Sequence, residues 1–79
     1  MYTDEELKEE DRRIRRLRRM VDFTIALILQ SDMDVEEAST HAAGAREFAT
    51  RLFPGKGDVF DLIYAPRLRR VLADKYRLN

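Results

Sequence analysis

Residues 4–30 read DEELKEEDRRIRRLRRMVDFTIALILQ, and this stretch decides the fold class. Leu7, Ile14, Val21 and Ile28 recur every seven residues, the spacing of one coiled-coil seam. At about 100° per residue, Leu17, Thr24 and Ile25 join them on one side of a helix, while Arg12, Arg15, Arg19, Asp22 and Ala26 fall on the other. From Met20 onward the apolar arc widens to include Phe23, Leu27 and Leu29, which predicts burial between two neighbours. Before Met20 the stripe is narrow and interrupted by Glu10 and Arg13, so residues 1–11 are expected to project or fray.

Working outward, Ser31-Asp32-Met33-Asp34 ends this helix and starts another. Asp34 is a natural N-cap, with Glu37 three residues on to complete a capping box. The second helix is expected from about Val35 to Phe53. Ala38, Ala42, Ala45 and Ala49 stand on its inner face, which implies close approach of a neighbouring helix. Pro54-Gly55-Lys56-Gly57 is a loop, and Asp58 is expected to cap a third helix. Val59, Phe60, Ile63 and Tyr64 form one apolar face of that helix, and Leu68, Val71, Leu72 and Tyr76 form another, rotated by roughly 120°. Pro66 lacks an N–H and disfavours helical geometry at Ala65. The fold predicted is all-α: a single domain over residues 1–79, built as a small three-helix bundle with the third helix kinked or broken near Pro66. The predicted core is Val21, Ile25, Ile28, Val35, Ala38, Ala42, Phe48, Leu52, Phe60, Ile63, Val71 and Leu72.

Composition excludes several function classes. The 79 residues contain no cysteine, hence no disulfide, no thiolate metal site and no cysteine nucleophile. The longest apolar run, Met20 to Leu29, is half of what a bilayer span needs and contains Asp22. The acidic first residues are not those of a signal peptide, and a cytoplasmic location is expected. His41 is the only histidine, and only Glu37 stands at useful spacing beside it, so a partly buried structural role is expected rather than a metal site. The Pro-Gly-Lys-Gly loop lacks the first glycine and the hydroxyl of a phosphate loop and follows no strand. No catalytic residue, cofactor, metal or small-molecule substrate is expected.

Charge is the informative feature. Lys plus Arg balance Asp plus Glu at fifteen each, but in alternating blocks: net −5 over residues 1–11, +6 over 12–19, −5 over 20–61 and +4 over 62–79. The primary expectation is therefore a helical protein-interaction module without catalytic activity, pairing with itself or with a helical partner protein. An antiparallel homodimer would set acidic ends against arginine blocks, with a seam of Leu7, Ile14, Leu17 and Val21. The alternative is a nucleic-acid-binding protein. It would contact phosphates through Arg12, Arg15, Arg16 and Arg19, extended by Arg67, Arg69 and Arg70. Against the alternative stand acids at helical spacing, Glu9 to Arg12 and Arg13, Asp11 to Arg15, and Asp22 to Arg18, together with the absence of an aromatic among the arginines.

Overall fold

The computed structural model describes residues 2–77, all in helices or the short connections between them. Helix α1 spans Asp4–Gln30, α2 Val35–Leu52, α3 Gly57–Ile63 and α4 Ala65–Tyr76. The all-helical expectation holds. The three-helix bundle does not, because the described residues form four helices. The division falls at Tyr64, which ends α3 and also precedes the first residue of α4. Pro66 explains the division. It has no N–H to give the preceding turn, and it sits in the first turn of α4, where that N–H would have no helical partner.

Each boundary has a local cause. Thr3 and Glu6 form a reciprocal capping box at the start of α1, one the sequence reading overlooked. Asp34 caps α2 through a 2.8 Å bond accepted from the Glu37 N–H. Asp58 is not a cap. Helix α3 begins one residue earlier, at Gly57, without a side-chain cap. Gly55 takes φ +79°, the left-handed conformation that turns the chain between α2 and α3.

Helix α2 runs back along α1, and α4 then runs in the same direction as α1. Arg67 near the start of α4 bonds Asp22 at 2.9 Å. Lys75 near its end donates to the carbonyls of Ile28 and Ser31, the latter at 2.6 Å. Tyr76 hydroxyl donates to the Met33 carbonyl at 2.7 Å, clamping α4 onto the α1–α2 connection.

Leu17, Val21, Ala45, Ala49, Phe60 and Leu68 form the central core, and among all described residues Ile28 and Val21 are the largest fully buried side chains. Alanine at positions 38, 45 and 49 lets α2 lie close against its neighbours, all three being buried. The buried Thr24 hydroxyl donates to its own helix, to the Met20 carbonyl at 2.8 Å. Several expected burials fail. On the widened arc of α1, Phe23 and Leu29 stay 67% and 54% exposed, because the buried stripe of that helix stays narrow and runs through Val21, Thr24 and Ile28. Val59 on α3 is exposed as well. Ile63 is 57% exposed. His41 is exposed rather than partly buried, because the inner face of α2 follows Ala38, Ala45 and Ala49 and leaves it to one side.

The backbones of every pair of helices come close together except those of α1 and α3. The molecule measures 46 × 22 × 16 Å. Helix α1, at 27 residues and 1.5 Å per residue, spans about 40 Å of the longest dimension. Residues 2–9 are all exposed and burial along α1 begins at Glu10, so the first turns of this helix overhang the bundle.

Candidate functional site

Helix α3 has only seven residues, and four of them, Val59, Phe60, Leu62 and Ile63, are large and apolar. Two turns of helix present a single face to a core. Phe60 takes it at 5% exposure, and Val59, Leu62 and Ile63 are left outside. Because the α3 backbone stays apart from α1 although Phe60 and Leu17 share the core, a cleft of about 440 Å³ opens between the two helices. Its apolar wall comes from Ile14 and Leu17 on α1, Phe53, and Val59 and Ile63 on α3. Glu10, Arg18 and Lys56 also line it and supply its charge.

Arg18 and Lys56 take no ion pair among the described residues. Helical spacing offers Asp22 to Arg18, but Asp22 is held by Arg67 from α4. A second, acidic hollow adjoins the cleft and shares Glu10 and Phe53 with it, and is lined further by Glu5, Glu6 and Glu9 with Tyr2 and Arg13. The end of the bundle thus carries an apolar cleft with two cations on its rim and, next to it along α1, an acidic hollow.

The proposed seam residues are not kept together. Leu17 and Val21 are 7% and 0% exposed, covered by the core of the chain itself, because α2 and α4 already close over this part of α1. Leu7 stands half exposed on the overhang, and Ile14 is half-buried at the cleft. Leu7 and Ile14 carry most of what an external partner could touch on that stripe, and Leu17 adds only the small edge with which it lines the cleft. Val59, Ile63 and Lys56 belong to the site and were missed as such. The signal was available, since α3 carries more large apolar residues than one short helix can bury.

The arginine block lies on the outer side of α1. Arg12, Arg13, Arg15, Arg16 and Arg19 frame a shallow depression with Glu9, and no arginine of α4 lines it. Glu9 pairs with Arg12 at 3.2 Å and Arg13 at 3.5 Å, and Asp11 with Arg15 at 3.3 Å. Arg67 is spent on Asp22. Arg69 lies near enough to Asp61 for its charge to act there, and Arg70 is exposed on α4. An aromatic does adjoin the block. Phe23 is 67% exposed, and residues 12, 16, 19 and 23 share one helical face.

The best-formed ion pair is elsewhere. Arg46 on α2 grips Asp61 on α3 with two bonds, at 2.7 and 3.0 Å. The hydrogen bond from Arg46 holds the Asp61 carboxyl below the usual carboxylate range, with the Arg46 and Arg69 charges adding to it against partial desolvation. Among the described residues no group of three or more acidic, histidine or cysteine side chains could hold a metal. No described helix is long and apolar enough to cross a membrane.

No protein-family model matches the chain, no curated protein matches it, and no solved structure matches it. What the molecule does is therefore read from its own surface.

Proposed function

We propose that this chain is a small helical protein-interaction module whose binding surface is the cleft between α1 and α3. One observation carries the reading: α1 and α3 are the only helix pair whose backbones do not come close together, and the gap between them is walled by large apolar side chains. A contiguous apolar hollow with a charged rim is where a soluble helical domain takes an amphipathic helix. On this reading the activity is binding, without catalysis or cofactor.

The test is a photo-crosslinking phenylalanine analogue placed at Val59 in the cleft and, as control, at the exposed Ser39 on α2. The expected result is a protein adduct from position 59, mapped by mass spectrometry to an apolar helical face. It should be lost with Ile14→Glu and absent from position 39. Absence of any protein adduct from position 59, a second copy included, refutes the reading.

A second reading is favoured by Phe23. An exposed aromatic at the end of an arginine face suits single-stranded nucleic acid, with phosphates on Arg12, Arg16 and Arg19 and a base on the ring. Three such contacts give a slope of about −2 in log affinity against log salt. Fluorescence anisotropy of labelled single-stranded RNA measures it. No binding in low salt, or binding that survives Phe23→Ala with all three arginines changed to glutamine, eliminates this reading.

A further inference from the structure

We infer that the occupant of the α1–α3 cleft is the overhanging start of α1 from a second copy of this chain, the two copies exchanging these segments about a two-fold axis. The inference rests on the cleft being a protein-binding surface and names what fills it.

Three observations converge on this occupant. Leu7 is a large apolar side chain, half exposed, on turns of α1 that extend past the end of the bundle. Ile14, one heptad later on the same stripe, lines the cleft. Each chain thus carries a knob and a hollow on one continuous face of one helix, the arrangement a closed two-fold contact requires. The charges agree. Residues 1–11 carry net −5, whereas in the cleft Arg18 and Lys56 outnumber Glu10, and neither cation takes an ion pair among the described residues.

Register follows from helical spacing. Positions 7 and 14 are one seam series and 10 and 17 the other, and antiparallel helices set one series against the other. Leu7 of one copy then lies level with Leu17 of the other, the inner wall of the cleft. Asp4 and Arg18 lie two heptads apart on the same flank of the stripe, so Asp4 of each copy faces Arg18 of its partner. Asp11 falls near the axis, where Arg15 already neutralises it at 3.3 Å. A parallel pairing would instead stack arginine block on arginine block. One operation fills both clefts, so the assembly stops at two.

The experiment is sedimentation equilibrium over a hundredfold range of concentration, on the wild type, Leu7→Glu, Asp4→Arg and Arg18→Glu. Circular dichroism confirms that each variant is folded. The wild type should pass from the 9.3 kDa chain mass to twice that value. Leu7→Glu should stay at the chain mass, and each charge variant alone should bind itself roughly tenfold more weakly. An equimolar mixture of Asp4→Arg with Arg18→Glu should recover wild-type association, because both cross-pairs are then of opposite sign. Recovery requires residue 4 of one copy to meet residue 18 of the other, which loss of folding cannot imitate. A wild type fixed at the chain mass, or a mixture that fails to recover, overturns the inference. If the wild type is monomeric while the Val59 crosslink captures a different protein, the cleft reading stands and the second copy is excluded as its occupant.

Discussion

Ile28→Ala and Ile63→Ala delete the same three carbons at two positions that the sequence reading places in one core. Ile28 is fully buried on α1, whereas Ile63 is 57% exposed on α3. At about 0.8 kcal/mol per buried carbon the transfer loss at Ile28 is about 2.4 kcal/mol, and the residual cavity raises the total to about 3–4 kcal/mol. At Ile63 less than half of the side chain is covered, the site faces an open cleft, and no enclosed cavity forms, so the loss is about 1 kcal/mol or less. For a domain of this size each kcal/mol shifts the melting temperature by about 4–8 °C. Ile28→Ala should therefore melt at least about 12 °C below the wild type, and Ile63→Ala within about 8 °C of it. Urea unfolding followed by circular dichroism, at a protein concentration where the chain is monomeric, gives both values. Equal losses at the two positions, or a larger one at Ile63, would refute the placement of α3 and with it the cleft. A loss at Ile63 that appears only at high concentration would report an interface.

Three further outcomes are expected. Lys75→Met removes the cation that caps the end of α1 from α4, a helix end with no basic residue of its own. It should cost about 2 kcal/mol in urea unfolding, whereas the same change at the exposed Lys8 should cost under about 0.5 kcal/mol. Gly55→Ala forces a side chain into φ +79° and should destabilise by about 1 kcal/mol, with the helical signal retained below the transition. Asp61 has its folded pKa depressed by Arg46, so its stabilising effect is full above the unfolded carboxylate value of about 3.9 and is lost as pH falls through the folded one. The melting-temperature gap between wild type and Arg46→Met should close as pH drops below about 4, and a gap that widens there would contradict the pairing.

The individual helices were legible from residue type and spacing, because caps, breakers and apolar period act over a few neighbouring residues. Asp34 caps α2, and Pro66 interrupts the helix that follows Gly57. The core was legible where an apolar stripe is wide, as at Val21 and Ile28. It was misread where burial depends on which neighbour arrives. Leu17 was assigned to an external seam, yet it is buried in the central core with Ala49 and Phe60. Ile63 was assigned to the core, yet α3 is too short to bury two faces and its backbone stays apart from α1.

Charge shows the same division. The alternating blocks, and the pairs of Glu9 and Asp11 with arginines three or four residues away, follow from helical spacing alone. Asp22 did not follow it. Arg67, 45 residues away in sequence, takes Asp22 and leaves Arg18 to the cleft. Lys75 and Tyr76, which fasten α4 to the carbonyls of Ile28, Ser31 and Met33, left no mark in local sequence, because each acts on backbone more than forty residues distant. The chain by itself determined where its helices start, where they stop and which stripe of each is apolar, since those depend on contacts within a turn or two. Only the tertiary structure decided which stripes meet. The gathering of Ala45, Ala49, Phe60 and Leu68 from the other three helices covers Leu17 and Val21, while the shortness of α3 leaves Ile14, Val59 and Ile63 around an open cleft.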